Sequence, residues 1–442
     1  MRRVGAISVV AALVLAAGSY AAWAELSNSS GGAPGPAVSA PAAPVAQPIA
    51  TPRCAPDPAL DERAAAVPDA LAAASARFLT DPSVAPHSAG MSVWIDGYGE
   101  VLAHDADVPL APASNQKLFT AIGALAVLGP EHRLVTEVVL TADDDLVVVG
   151  GGDATLTTNG PHSLDALATQ VRDAGVTHVG GSLLVDERRY DGSSRAAGWQ
   201  DWQIPAHTGP MSAFMVDRNR WRADPSYLAD PALANTERLR ERLAAVGVTV
   251  AGAIDHAVSP RRGTTVALIA SPPVGELVEV MLLRSDNQIA DLLLKEVGAA
   301  AGDGSAIGAT AATHEAIAAR CLELAGIVDD GSGLSRANAR PAREWRVLLQ
   351  TIRGEAWWSL LHDRLPVAAR SGTLASRFGG TAAAGNVRAK TGTIIGGAAL
   401  SGYGTTAGGS AFVFSVIVNG EGAQSSAAAI DGLVAEIAAW SG

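Results

Sequence analysis

Pro112-Ala113-Ser114-Asn115-Gln116-Lys117-Leu118 opens a run in which Leu118, Ile122, Leu125 and Leu128 recur at helical spacing. Ser114 therefore stands at a helix start, and Lys117, three residues on, shares its face. The lysine is informative because the chain has 32 basic residues and only three lysines, Lys117, Lys295 and Lys390. Arginine does not deprotonate in a protein, so of the two only lysine can take a proton from a hydroxyl. Lys390 leads Thr391-Gly392-Thr393 on a predicted strand, whereas Lys295, four residues after Asp291, reads as a surface ion pair. Between the outer two lies Ser285-Asp286-Asn287, directly before an amphipathic helical pattern.

Around these segments the composition narrows the field. The 442 residues carry a formal net charge of −12, and 48% are hydrophobic against 17% charged. That allows two or three domains with a large core and excludes wholesale disorder. An acidic balance without a basic block argues against a nucleic-acid partner. Two cysteines, Cys54 and Cys321, are too few for a structural zinc site or an iron–sulfur cluster. The histidines include no His-Glu-x-x-His, and the run Gly150-Gly151-Gly152-Asp153 lacks the dinucleotide-binding spacing. No metal and no cofactor is expected.

Arg2 and Arg3 precede an uncharged apolar run from Val4 to Ala24 that ends Ala22-Trp23-Ala24, the layout of a secretory signal peptide. An uncleaved membrane anchor through residues 4–24 is the alternative. Either places the protein outside the cytoplasm, in a periplasm, a cell wall or the medium. From Ser27 to Pro52 no residue is charged and six are proline, a tether of roughly 80 Å when extended at about 3.1 Å per residue. In an oxidising compartment Cys54 and Cys321 would bridge, two buried free thiols being the alternative.

The folded part reads as α/β. A helix is expected over Pro68–Phe78, strands over Met91–Ile95 and Val101–Ala103, and the helix after Ser114. Strands at Val135–Leu140 and Leu146–Val149 follow. Two similar helix–turn–strand units come next, their helices at Leu164–Ala174 and Thr236–Ala245. Helices at Leu277–Leu283, Gln288–Val297 and Ala311–Leu324 precede strands at Asn386–Gly392, Ala398–Tyr403 and Ala411–Val418 and a last helix to Trp440. Strands at both ends of this region imply one domain closed by both, over residues 61–133 and 266–442. A small α/β domain over residues 134–265 is inserted in it, behind a signal or anchor at 1–24 and a tether at 25–60.

Ser-x-x-Lys, then Ser-Asp-Asn, then Lys-Thr-Gly is the ordered set of the penicillin-interacting serine acyltransferases. The flanks extend the likeness: Gly151-Gly152-Asp153-Ala154-Thr155-Leu156, Val216-Asp217-Arg218-Asn219, Asp330-Gly331-Ser332-Gly333-Leu334-Ser335-Arg336, and Gly372-Thr373-Leu374 before Arg377-Phe378. From Asp69 to Gly442 the chain resembles the class C low-molecular-mass penicillin-binding proteins of the D-Ala-D-Ala carboxypeptidase/endopeptidase type. The resemblance implies the penicillin-binding protein/serine β-lactamase-like fold, an antiparallel sheet flanked by helices. It implies peptidoglycan stem peptides as substrate and β-lactams as covalent inhibitors. One departure stands out: relatives commonly carry a further nested domain after the Asp-Arg-Asn landmark, and here a helix is expected to begin at Thr236, seventeen residues after Asn219.

On that resemblance Ser114 attacks the penultimate D-alanine, Lys117 is the base, Ser285 relays the proton to the leaving amine, and Asn287 holds Lys117 and the substrate amide. Lys390 and Thr391 bind the C-terminal carboxylate, Gly392 admits the substrate along the strand edge, and the N–H groups of Ser114 and Thr393 form the oxyanion hole. Bringing a lysine from about 10.4 to near 7 requires destabilising its ammonium by about 4.6 kcal/mol, here assigned to a neighbouring Lys390 with partial burial. Asp201, between Trp199 and Trp202, lies within a residue or two of the place where some relatives carry an acidic residue that meets the amino group of a diaminopimelate side chain. A solvated loop carboxylate is its alternative. A β-lactamase or esterase on the same scaffold, or a non-hydrolytic wall-peptide binder, are the competing functions. The first lacks a clear deacylating glutamate, and the second leaves the intact reactive set unused. The absence of a Gly-x-Ser-x-Gly elbow argues against a Ser-His-Asp hydrolase.

Overall fold

The computed structural model describes residues 62–220, 226–258, 262–318, 322 and 324–442. The expected signal or anchor, the tether and both cysteines lie outside these residues. Among the described residues no helix is long and apolar enough to cross a membrane.

In chain order, helix α1 (Asp69–Thr80) leads into the antiparallel pair β1 (Ser88–Ile95) and β2 (Gly99–His104), and Ser114 follows just ahead of α2 (Gln116–Gly123). The chain then leaves for a second sheet: β3 (Val135–Thr141), β4 (Leu146–Val149), α3 (Leu164–Asp173), β5 (Leu183–Asp186), α4 (Pro231–Ala245), β6 (Ile254–His256) and β7 (Gly263–Ala270). It returns through α5 (Val274–Arg284), α6 (Asn287–Ala301), α7 (Ala306–Ala318) and α8 (Ala342–Thr351). Strands β8 (Arg388–Ile394), β9 (Gly397–Thr405) and β10 (Ala411–Asn419) and the helix α9 (Ala427–Ala439) complete it. The first sheet has the order β8-β9-β10-β1-β2 and is antiparallel throughout. The second, β7-β3-β4-β5-β6, is mixed, with β4-β5-β6 parallel.

Strand β10 shows how the first sheet divides its surroundings. Phe412, Phe414, Val416 and Val418 face α1 and α9, where Leu71, Phe78, Leu433 and Ile437 pack. Val413 and Ile417, one residue out of phase, face Trp345, Leu348 and Leu349 of α8, the period-two alternation of a strand buried on both sides. Between them Ser415 lies level with Ser92 on one neighbour and Ser401 on the other, and Ser401 lies level with Lys390. This polar row crosses the sheet on its α8 side. Ser401 bonds Ser415 at 2.8 Å and accepts from Asn115 Nδ2 at 2.7 Å. The row thus joins the sheet centre to the residue after Ser114.

Differences from the sequence reading have local causes. Helix α4 starts at Pro231, ahead of Thr236, because Asp230 accepts a capping bond from the Leu233 N–H at 3.0 Å and proline suits the first helical turn. Helix α7 starts at Ala306, where Ser305 Oγ accepts from the Gly308 N–H at 2.9 Å. Strand β7 runs on to Ala270, and α8 falls in a stretch given no element. Lys295 is not a surface residue: it is buried and paired with Asp191 of the second-sheet region, not with Asp291. Next to it Glu296 accepts from Arg189 Nε at 2.7 Å and from the Tyr190 hydroxyl at 2.7 Å. A Cβ on Gly152 would fall 2.2 Å from that carboxylate, which accounts for the glycine there. Helix α6 is thus the anchor of the inserted region.

Truncating Phe414 to alanine should destabilise the protein by about 3–5 kcal/mol, because the fully buried ring fills the layer between sheet and α9. Urea unfolding followed by tryptophan fluorescence measures it; a change below 1 kcal/mol contradicts this packing.

Candidate active site

Ser114 is half-buried on a single 3-10 turn, Ala113–Asn115, that runs straight into α2. Ala113 holds the left-handed backbone, φ +48°, a conformation that persists only where its surroundings impose it. Two glycines let those surroundings close in. A Cβ on Gly333, itself at φ +81°, would lie 1.8 Å from the Ala113 carbonyl oxygen, and one on Gly392 would lie 2.7 Å from the Pro112 carbonyl oxygen. The 330–335 loop and the edge strand β8 thereby clamp the serine turn from two directions.

Lys117 is wholly buried. Its Nζ lies 3.0 Å from Ser114 Oγ, 2.8 Å from Asn287 Oδ1 and 2.5 Å from the Ser332 carbonyl oxygen. All three partners are uncharged oxygens. The nearest carboxylates are engaged elsewhere: Asp330 with the N–H groups of Gly333 and Ser335, Asn338 Nδ2 and Trp199 Nε1; Asp291 with the Gly331 N–H; Asp286 with Arg218 and the Ile289 N–H. Burial brings the Lys117 amine down to about 8, against the opposing pull of Asp291, Asp330 and Asp286. Burial, not the charge of Lys390, is thus the principal cause.

A neutral amine has two N–H donors and one lone pair. Asn287 Oδ1 and the Ser332 carbonyl can only accept, so they take both donors. The lone pair is left facing Ser114, whose hydroxyl then donates to it. The amide of Asn287 is oriented from its other end, where Nδ2 donates to the His207 carbonyl at 3.0 Å.

Ser285 follows α5 in the left-handed conformation, φ +56°, which turns the chain sharply into α6. Its Oγ accepts from Lys390 Nζ at 2.9 Å, and Lys390 also donates to the Thr391 carbonyl at 2.8 Å. Burial, then repulsion from Lys117 and Arg377, holds the Lys390 amine well below the usual lysine range. The Thr391 and Thr373 hydroxyls are 2.7 Å apart. Of the residues singled out in the sequence, Ser114, Lys117 and Asn287 form one hydrogen-bonded group and Ser285, Lys390 and Thr391 another, with Gly392 packed against the Pro112 carbonyl beside the serine turn. Thr393, with an exposed side chain, continues β8 opposite Ala398.

Asp201 bonds none of these groups. Its side chain is 95% exposed and pairs with Arg195 Nη2 at 2.9 Å. The turn bearing it is nevertheless fastened to the loop that presses on Ser114: Trp199 Nε1 donates to Asp330 at 2.8 Å and Gln203 Nε2 to the Leu334 carbonyl at 3.1 Å. Sequence reading gave no role to the Ser332 carbonyl, to Thr373 or to Arg218. In the sequence the segments that carry them stand out only as landmarks.

The profile of the D-Ala-D-Ala carboxypeptidase 3 (S13) family matches residues 71–227 and 226–439. Among curated proteins the chain is 32% identical to carboxypeptidase DacB of Mycolicibacterium smegmatis, over 83% of each chain. It is 30% identical to a D-alanyl-D-alanine carboxypeptidase of an Actinomadura species, over 82% of this chain and 84% of that one. Among solved structures it resembles penicillin binding protein 4 from Haemophilus influenzae, with a TM-score of 0.70 and 22% identity over 78% of this chain and 93% of that one. The penicillin-binding protein/β-lactamase-like fold expected from the sequence is therefore the observed one, with a small mixed-sheet region added.

Replacing Gly333 by alanine forces a methyl group onto the Ala113 carbonyl and should lower the melting temperature by several degrees. It should also displace the serine turn. Calorimetry and a crystal structure of the variant test this, and an unchanged melting temperature with an unmoved turn contradicts it.

Proposed function

The chain belongs to the D-Ala-D-Ala carboxypeptidase 3 (S13) family and is a serine-type D-Ala-D-Ala carboxypeptidase; on that premise we propose that Ser114 is its nucleophile and peptidoglycan stem peptides its substrate. The supporting observation is the contact of Ser114 Oγ with Lys117 Nζ at 3.0 Å, the other two contacts of that amine being acceptors only.

The Ser114 hydroxyl gives its proton to Lys117 as its oxygen adds to the carbonyl carbon of the penultimate D-alanine. The N–H groups of Ser114 and Thr393 receive the oxyanion. Collapse breaks the C–N bond, and a proton passes from Lys117 to the departing nitrogen through the Ser285 hydroxyl. The leaving group is D-alanine in a carboxypeptidase turnover and the side-chain amine of a neighbouring stem peptide when a cross-link is cut. Water then hydrolyses the ester, restoring Ser114.

Lys390, Thr391 and Thr373 receive the free C-terminal carboxylate. An anion arriving beside Lys390 opposes the lowering that burial imposes on its amine, so carboxylate binding and protonation of Lys390 reinforce each other. Gly392 lets β8 lie close against the serine turn, and the unpaired edge of β8 takes the extended peptide. Asp201, exposed and paired with Arg195, is the residue we assign to the amine-bearing side chain of the stem peptide, with the half-exposed Trp202 beside it, whose ring meets His207 edge-on at 5.3 Å. A β-lactam, presenting a strained amide and a carboxylate in the same places, acylates Ser114 and blocks turnover. The arginine pair and uncharged apolar run at residues 2–24 support work outside the cytoplasm, by export or anchorage.

Fluorescent penicillin should label the wild type and fail to label Ser114→Ala; label retained by the mutant refutes the nucleophile. Mass spectrometry of muropeptides should show loss of one alanine, release of cross-links, or both. Because Lys117 must be uncharged to accept the proton, acylation should rise with pH and level off above about 8. A pH–rate profile flat from 6 to 9 argues against Lys117 as base.

A further inference from the structure

Three consecutive residues of the Ser285-Asp286-Asn287-Gln288 stretch are each held by the inserted region. Asp286 pairs with Arg218. Asn287 donates to the His207 carbonyl at 3.0 Å. Gln288 accepts from the Gly209 N–H at 2.6 Å and donates to the Gly209 carbonyl at 3.3 Å. The two gripping segments also press on each other, since a Cβ on Gly209 would fall 2.2 Å from the Arg218 carbonyl oxygen.

The turn that carries Arg218 is held in an unfavourable shape. Asp217, Arg218 and Asn219 all have positive φ, at 47°, 61° and 50°. Non-glycine residues avoid that region, and a run of three survives only where neighbours enforce it. Here Asn219 donates to the Pro210 carbonyl at 2.9 Å and accepts from Asn235 at 2.7 Å, and Asp217 accepts from Arg238 at 3.0 Å. These bonds project the Arg218 guanidinium out of the inserted region onto Asp286.

Asp286 meanwhile accepts from the Ile289 N–H at 3.1 Å, capping the helix whose first residue is Asn287. Its position sets the direction of the turn that delivers Ser285 and Asn287. We propose that Arg218 is a positioning residue for acylation, acting through Asp286 to fix Ser285 and the Asn287 amide against Lys117. The inference rests on the reading of Ser114 and Lys117 as nucleophile and base.

Charge supplies a readout that loss of packing would not move. Lys117 feels Asp286 and Asp291 from α6, Asp330 from the 330–335 loop and Lys390 from β8. Burial alone would raise the Asp286 carboxyl; the Arg218 guanidinium, with Arg220 behind it, keeps it below the usual range and offsets its charge. Removing Arg218 leaves Asp286 opposed only by the more remote Arg220, so its charge attracts the Lys117 ammonium more strongly and Lys117 stays protonated to higher pH. Removing the charge of Asp286 does the reverse.

The test uses the full chain and fluorescent penicillin, with folding checked by calorimetry. Arg218→Met should acylate roughly 10- to 100-fold more slowly, with its acid limb moved up by about half a pH unit. KM for a D-Ala-D-Ala-terminated peptide should stay within about two-fold, and Arg218→Lys should recover part of the rate. Asp286→Asn keeps a capping oxygen, so it should fold, acylate slowly and move the limb down. It decides the matter if Arg218→Met does not fold. Rates near wild type in the folded variants, or limbs that stay put or move in the same direction, overturn the proposal. If wild type itself is unlabelled, or Ser114→Ala is labelled, the reading of the site fails instead.

Discussion

An amine buried whole, in contact with neutral oxygens only, is what the rest of this structure is arranged around. A lysine in water keeps its proton until about 10.4, and one paired with a carboxylate keeps it longer. Lys117 avoids both conditions. Three carboxylates surround it, yet each is occupied by backbone N–H groups, an indole, an amide or a guanidinium. What reaches the amine is an amide oxygen, a backbone carbonyl and the Ser114 hydroxyl. Two fixed acceptors and one hydroxyl leave a neutral amine a single arrangement, with its lone pair toward the serine.

Much of the scaffold serves that arrangement. The 330–335 loop supplies the carbonyl and, through Gly333, close contact with the serine turn. Helix α6 supplies the amide and gathers the inserted region by Arg218 at its start and by Arg189, Tyr190 and Asp191 near its end. The row of Ser92, Ser415 and Ser401 ties the centre of the sheet to Asn115. Register is strict in such a sheet, because a slip of one residue would turn Phe412, Phe414, Val416 and Val418 into the layer meant for Val413 and Ile417.

The fold and the three motif segments are legible in the sequence because each has a local signature. A short, almost unbroken apolar run marks β10, helical spacing follows Ser114, and lysine stands out in an arginine-rich chain. What is not legible depends on partners distant in the chain. Lys295 looks solvent-facing from its four-residue spacing to Asp291, and only the return of residues 189–191 over α6 shows it buried. Ser332 acts through its carbonyl, which no side chain advertises. The cause of the lowered affinity of Lys117 for its proton is likewise burial beneath a loop more than 200 residues away, not the neighbouring cation. Arg218 shows itself only when its strained turn is seen against Asp286.

Strand β1, near the start of the described chain, hydrogen-bonds along its length to β10, near its end, from Ser88 with Asn419 to Ile95 with Phe412. The sheet therefore cannot close until the chain has been made as far as Asn419. The second sheet, whose strands span residues 135–270, has no such dependence on either extremity. Contacts this remote in sequence form slowly. During synthesis the chain is thus a nascent product with its first sheet open, and its hydrolytic competence arises only after β10 has left the ribosome.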